Sequence, residues 1–443
     1  MKIFAVSLGC PKNSIDTETT IASMLNHAGG TVVSEADDAD VILVNTCGFI
    51  KSAVTESIET ILTIAQGKRP HQKLAVIGCM VERYGDVLRL ELPEVDFFAG
   101  TNDYKNIGMG IAKLVTEAKR VSDMNELSMP GERFLGATPP WRAYVKIAEG
   151  CSNHCTYCLI PKLRGSMVCR PPIEILKEVQ ELTQHGVKEI TLVAQDLTAY
   201  EYSSGRNRKD LTGLLSTLVQ ESDVTWIRLL YLHPKGISDG LLELMAFEKR
   251  ICKYLDIPIQ HASTEVLRRM GRLYSTTDLE NMLARIRTIL PKAALRTTVM
   301  VGFPGETERD HAIVRDFLQR WEFDHAGFFV YSDEEEAPSH GLSNKVKSRI
   351  AKDREKELIR IQNDISRKKL RAMIGNTVPV LVEGVSPETE HLLIGRTEAQ
   401  APEIDGMVYI NDGTARPGEM VQVLISDSDI NDLVGGIVSA CNN

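Results

Sequence analysis

Apolar and polar positions in the first hundred residues switch between two periods. Ile3 to Leu8 is a short apolar run of strand type, and Asp16 to Ala28 puts Ile21, Met24, Leu25 and Ala28 on one helical face. The pairing recurs as a strand at Asp40 to Asn45 with a helix at Ala53 to Ala65. It recurs again as a strand at Leu74 to Ile77 with a helix at Val81 to Leu90. Such alternation predicts an α/β fold with a doubly wound parallel sheet. Asn102 to Pro140 is weakly patterned, and Pro130-Gly131 and Pro139-Pro140 mark a linker.

From Trp141 a second alternation begins. Its predicted strands are Ala143–Ala148, Glu189–Ala194, Trp226–Leu230, Tyr254–Ile259, Leu295–Met300 and Ala326–Tyr331. Helical spacing lies between them, near Ile173–Gln184, Leu211–Gln220, Asp239–Phe247, Thr264–Met270, Asp278–Leu290 and Thr307–Trp321. Six units predict a partial TIM-type (β/α)6 barrel, whose working face is the carboxyl end of its strands. Lys345 to Met373 reads as one helix with Ile350, Leu358, Ile361 and Ile365 on a face, ended by Gly375. Short strands follow at Val378–Val382, Leu392–Arg396, Met407–Ile410, Met420–Ile425 and Gly436–Ser439. With turn signals at Asp405-Gly406 and Asp412-Gly413, these fit an OB-like β-barrel. The expected domains are 1–120, 137–374 and 375–443.

Charge changes this picture at one place. The stretch from Gly375 to Asn443 holds 11 Asp and Glu against 2 Lys and Arg, so it accounts for the whole net charge of −9. Phosphate contacts depend on Lys and Arg, so this tail is a poor direct partner for nucleic acid and suits a basic protein. The preceding helix, with 11 Lys and Arg against 4 Asp and Glu, reads as a solvated helix or a contact for RNA or another acidic partner. No secretion signal opens the chain, and no run of 18 apolar residues would span a membrane. Nine cysteines in such a chain read as metal ligands or thiols in a reducing cytoplasm.

Three of those cysteines, Cys151, Cys155 and Cys158, have the spacing C-x3-C-x2-C just after a predicted strand. Thiolates are soft ligands suited to iron–sulfur clusters. Three thiolates on a four-iron cluster leave one iron open, which suits chelation by the amino and carboxylate groups of S-adenosylmethionine (SAM). A zinc loop is the alternative, but zinc asks for a fourth protein ligand and His154 is poorly placed to be it. Cys10, Cys47 and Cys79 each follow a predicted strand of the first sheet, where ligands of open α/β sheets bind. They form a second candidate trio, the alternative being three small buried hydrophobes. At the barrel mouth, Gln195-Asp196, His233-Pro234, Gln260-His261 and Gly302 to Glu306 end strands; each could meet SAM or substrate, or serve as a turn or cap. Tyr157 could pack beside an adenine or in the core. His154 and His185 read as surface residues.

The order of parts resembles the radical-SAM methylthiotransferases: a three-cysteine domain, a radical-SAM barrel and a carboxyl-terminal TRAM domain. Ser7-Leu8-Gly9-Cys10-Pro11-Lys12-Asn13, Thr46-Cys47-Gly48-Phe49-Ile50, Gln260-His261-Ala262-Ser263 and Ala401 to Gly406 are similar to the RimO-like branch. That branch acts on an aspartate of small-subunit ribosomal protein twelve, whereas the MiaB-like branch acts on an adenosine of tRNA. The resemblance implies two 4Fe-4S clusters, a radical-generating one on Cys151, Cys155 and Cys158 and an auxiliary one on Cys10, Cys47 and Cys79. Tyr157, Gln195, Asp196, Gly302 and Pro304, read from the barrel mouth, are the candidate SAM neighbours, and the family's chemistry needs no side chain as a classical acid or base. An electron donor and a sulfur donor are implied partners. Methylthiolation of tRNA, or a non-catalytic ribosome-binding role, are the competing readings. Two departures from the family pattern are Cys169, where a small residue is usual, and Glu334-Glu335-Glu336-Ala337, which lacks an expected Gly. Cys252 and Cys441 read as incidental.

Overall fold

A computed structural model describes residues 1–101, 103–116, 133, 139–205 and 207–440. Pro130-Gly131 and Cys441 lie outside the described residues. The chain divides into two compact units. The first comprises Met1–Pro139, Glu149–Asn153 and Cys158–Val168; the second comprises Pro140–Ala148, His154–Tyr157 and Cys169–Asn443.

In the first unit, β1 (Lys2–Ser7), β2 (Thr31–Val32), β3 (Val41–Thr46), β4 (Lys73–Gly78) and β5 (Phe97–Ala99) form a parallel sheet of order β2-β1-β3-β4-β5. Helices α1 (Pro11–Ala28), α2 (Lys51–Gly67), α3 (Cys79–Glu91) and α4 (Tyr104–Thr116) complete the doubly wound α/β arrangement. Side-chain alternation along β3 sends Val41 and Leu43 to one core and Ile42 and Val44 to the other. The first core also takes Ile107, Ile111 and Val115 of α4, a helix that the weak pattern after Asn102 does not reveal. Helix α1 starts at Pro11, earlier than the apolar spacing suggests. Cys10 is its amino-terminal cap and Pro11 occupies the first turn, where a missing N–H costs nothing.

In the second unit six parallel strands follow one another in space as in sequence. Arg142–Lys146, Glu189–Val193 and Trp226–Leu229 pair in one group; Tyr254–Asp256, Ala294–Val301 and His325–Val330 pair in another. Ile227 N bonds Arg250 O at 2.8 Å and Leu232 N bonds Asp256 O at 2.8 Å, joining the groups into the expected partial barrel. A hairpin of Glu201–Ser204 with Asn207–Asp210, absent from the sequence reading, is inserted after the second strand. The long helix spans Ser348–Arg371 and buries Ala351, Arg354, Leu358, Gln362, Ile365 and Ser366. Ile350 is exposed instead of facing the core, because polar side chains take part of the packing stripe. Gln362 Nε2, for example, donates to Phe323 O at 2.9 Å.

The last five strands, Thr377–Ser386, Thr389–Arg396, Val408–Asp412, Met420–Ser428 and Leu433–Ala440, close into a small β-barrel. It docks on the amino-terminal ends of the (β/α)6 strands through buried charge. Glu189 accepts from Arg228 Nε at 2.6 Å and from Arg396 Nη2 at 2.6 Å. Arg142 Nε meets Glu383 at 3.2 Å, Tyr254 donates to Asp405 at 2.7 Å, and His325 Nε2 lies 2.8 Å from Ala399 O. Among the described residues no helix is long and apolar enough to cross a membrane.

Candidate functional site

In the first unit three neighbouring parallel strands each deliver a cysteine at the carboxyl end. Cys10 follows β1, Cys47 follows β3 and Cys79 opens α3 after β4. This is the sheet edge where the strand order reverses, the usual ligand position of such folds. Glycines let the turns close on one another. A Cβ on Gly9 (φ +94) would sit 2.9 Å from Cys47 Cβ, and one on Gly48 would sit 2.6 Å from Cys79 O. Ser57 Oγ holds the Cys47 backbone, accepting from its N–H at 3.3 Å and donating to its carbonyl at 3.2 Å.

Two buried polar residues tie these turns together. Asn13 Nδ2 donates to Leu8 O at 2.8 Å and to Thr46 O at 3.3 Å, bridging the ends of β1 and β3. Arg164, from the short helix Ile160–Arg164, donates to Asn13 Oδ1 at 2.7 Å, Asp16 at 3.0 Å, Glu149 at 3.0 Å and Cys79 Sγ at 3.4 Å. Burial opposes the Arg164 charge, but Asp16 foremost holds it protonated. Burial pushes the Cys79 thiol up to about 11 against the pull of Arg164, and raises that of Cys47 as well. Such thiols ionise only when a cation or a metal supplies the missing counter-charge. The trio carries three soft donors and an N–H aimed at one sulfur, a donor set that fits an iron–sulfur cluster.

The C-x3-C-x2-C loop is anchored at several points. Gly150 (φ +75) has no room for a side chain, since a Cβ would lie 2.3 Å from Ser166 O. Cys151 N bonds Gly165 O at 3.1 Å, and Ile160 N donates to Cys158 Sγ at 3.4 Å. In the second unit Thr156 N bonds Met270 O at 2.9 Å, and Arg272 Nη1 approaches Cys155 Sγ at 3.7 Å. Thr156 O in turn accepts from Ser339 N at 2.8 Å. His154 and His185 are exposed. Among the described residues no group of three or more His, Cys, Asp or Glu forms a cage for a single metal ion.

The barrel mouth contains the other candidates. Tyr157 packs edge-on against Phe303, with ring centroids 6.5 Å apart, and Phe303 lies between Gly302 and Pro304. Gly302 (φ +76) also lets the long helix approach, since a Cβ there would lie 2.5 Å from Ala351 Cβ. Gln195 and Asp196 lie just past the second strand, which ends at Val193. Asp196 caps the short turn after it, accepting from Thr198 Oγ1 at 2.7 Å and Ala199 N at 3.2 Å. Tyr231 (φ 64) and Gln260 (φ 67) hold left-handed backbones just past the third and fourth strands, a strain that structures keep mainly at functional sites. His261 is fully buried, which pulls its ring down to about 3. His233 is pulled down to about 4 by burial and by Arg272, and meets Tyr274 at 5.6 Å between ring centroids.

Arg272, Tyr274, Asn13 and the several bonds of Arg164 had no signal in spacing. Arg164 lies in the loop's own sequence, six residues after Cys158, but its partners Asn13, Asp16 and Cys79 are far off along the chain. Cys169 is half-buried and accepts from Glu201 N at 3.4 Å, and Cys252 is fully buried.

Three family models match in series: the uncharacterised protein family UPF0004 over residues 2–100, the radical SAM superfamily over 145–318 and the TRAM domain over 374–438. A curated relative from Desulfotalea psychrophila, a ribosomal protein uS12 methylthiotransferase RimO, is 46% identical over 99% of this chain and 100% of its own length. The chain belongs to that family. Relatives of the same name from Myxococcus xanthus and Geobacter sulfurreducens are each 43% identical, covering 98% and 99% of this chain and 91% and 99% of their own. Among solved structures, the radical SAM methyltransferase TsrM of Kitasatospora setae matches with a TM-score of 0.56 at 13% identity, covering 76% of each chain. That likeness speaks for the fold alone. Family membership carries radical SAM methylthiotransferase activity for the chain.

Proposed function

We propose that Cys10, Cys47 and Cys79 hold an auxiliary 4Fe-4S cluster, and Cys151, Cys155 and Cys158 a second one that binds SAM. The chain is a uS12 methylthiotransferase of radical SAM type, acting at the β-carbon of an aspartate. The observation that supports this most is identity of 42–46% with uS12 enzymes over nearly the whole chain. When bound, the clusters and SAM supply the electron, the radical and the methylthio group that a C–H bond of no useful acidity requires.

The chain's own residues hold and shield. Asn13 and Ser57 fix the turns of the auxiliary trio, while Arg164 and Arg272 each direct an N–H at one sulfur. Tyr157, Gln195, Asp196, Gly302 and Pro304 are the proposed neighbours of SAM at the barrel mouth. No side chain needs to act as acid or base. The domains 1–120, 137–374 and 375–443 then carry the auxiliary cluster, the radical chemistry and the docking of a basic ribosomal protein on an acidic module. A cytoplasmic electron donor and a sulfur donor complete the proposed system, and a ribosomal substrate supports the cytoplasm as its location.

The test supplies the reduced enzyme with SAM, sulfide, uS12 and tRNA together. Peptide mass spectrometry should find a methylthio mass on a uS12 aspartate. The mass on tRNA alone would reverse the substrate assignment, and absence of 5′-deoxyadenosine would favour a non-catalytic role.

A further inference from the structure

We propose that Arg164 is a positioning residue that sets the reduction potential of the auxiliary cluster through its N–H bond to the Cys79 sulfur. The inference rests on the cluster assignment above. Arg164 is 7% exposed, and all three guanidinium nitrogens are bonded. Nε faces Cys79 Sγ at 3.4 Å, Nη2 reaches Asn13 at 2.7 Å and Asp16 at 3.0 Å, and Nη1 reaches Glu149 at 3.0 Å. Three fixed acceptors leave a planar fork no freedom, so the Nε–H can point only at the sulfur. What reaches Cys79 is both the guanidinium charge and a directed bond, and only the bond needs the fork.

A hydrogen bond to a ligating sulfur favours the reduced, more negative state of a cluster and raises its potential. The same residue sits six positions after Cys158 and bonds Glu149, two positions before Cys151. One side chain from the stretch that carries one trio thus grips a ligand of the other. A lysine would keep the charge but could not reproduce the fork.

The experiment uses the full chain, reconstituted anaerobically, with R164K and R164Q made both alone and in a Cys151→Ala, Cys155→Ala, Cys158→Ala background that leaves only the auxiliary trio. Iron content and electron paramagnetic resonance redox titration are read. The auxiliary midpoint should fall in the order wild type, R164K, R164Q, with iron unchanged and the other cluster's midpoint unmoved. An unmoved auxiliary midpoint in iron-replete R164Q overturns the proposal. So does equal movement of both midpoints, or loss of the auxiliary iron from both variants, which would make Arg164 merely structural. Wild-type chain with about four irons instead of about eight would instead overturn the cluster assignment itself.

Discussion

Glu306 is a buried carboxyl with two opposing influences. Its Oε2 accepts from the backbone N–H of Gly302 and, at 3.1 Å, of Phe303, while Arg354 Nη1 lies 3.0 Å from Oε1. Burial outweighs these partners and pushes the carboxyl from 4.5 up to about 7. The folded state therefore keeps a proton that the unfolded chain has already released. Stability contributed by this group is present below pH 4.5 and is lost as pH rises through about 7. Relative to Glu306→Gln, wild-type unfolding free energy should fall by up to about 3 kcal/mol across that window. Denaturant titrations at a series of pH values check this, and a flat difference would refute it. Cys252 gives a second residue-scale test. Burial pushes its thiol up to about 12, against the pull of Arg228. Iodoacetamide acts on thiolates, so at pH 8 it should leave Cys252 unlabelled until urea is added. Labelling of the native protein at the rate of exposed thiols would show the site opens.

Elements were legible where one face is apolar and illegible where charge does the packing. The period-2 and period-3.6 runs placed the barrel strands and their helices within a residue or two, because each buries an apolar stripe against its neighbour; the exception is the fourth strand, which ends at Asp256, three residues before the expected Ile259. Tyr104–Thr116 escaped notice although Ile107, Ile111 and Val115 are spaced for a helix, since the prolines and glycine beyond it dominate that window. Ile350 was misplaced for the opposite reason: Arg354 and Gln362 hold inward positions that polarity alone assigns to solvent. The network of Glu189, Arg228, Arg396 and Glu383 is the extreme case. Nothing local marks Glu189 as the partner of an arginine 207 positions away. Burial alone would protonate it, yet Arg228 and then Arg396 hold it down at about 2. Glu189→Gln removes the carboxylate that the two buried guanidinium groups share, leaving Arg396 with Glu383 and Arg228 with the Glu398 carbonyl, and should cost about 3–5 kcal/mol. The loss should show as earlier thermal unfolding and as new proteolytic cleavage near Gly375, freeing the small barrel. Replacing Glu189 by Gln without change in either readout would mean the pairs contribute little.

At the scale of the whole chain, the candidate chemistry rests on two trios whose visibility in sequence differed. Cys151, Cys155 and Cys158 declared themselves by spacing. Cys10, Cys47 and Cys79 are separated by 37 and 32 positions, and only the periodic strands before them hinted that a parallel sheet would gather their turns. Their attachment to different elements allows a separation of function. Alanine at Cys10, Cys47 and Cys79 removes soft donors from the ends of β1, β3 and β4, but leaves untouched the bonds that anchor the other loop, such as Cys151 N to Gly165 O and Thr156 N to Met270 O. This triple variant, reconstituted anaerobically, should therefore retain about four irons and still form 5′-deoxyadenosine from SAM with reductant. It should add no methylthio mass to uS12. The reverse variant, with Ala at Cys151, Cys155 and Cys158, should also retain about four irons but form no 5′-deoxyadenosine. If the first variant lost SAM cleavage while circular dichroism showed an intact fold, the trios would be one functional unit, and the division of labour argued from their positions would have to be abandoned.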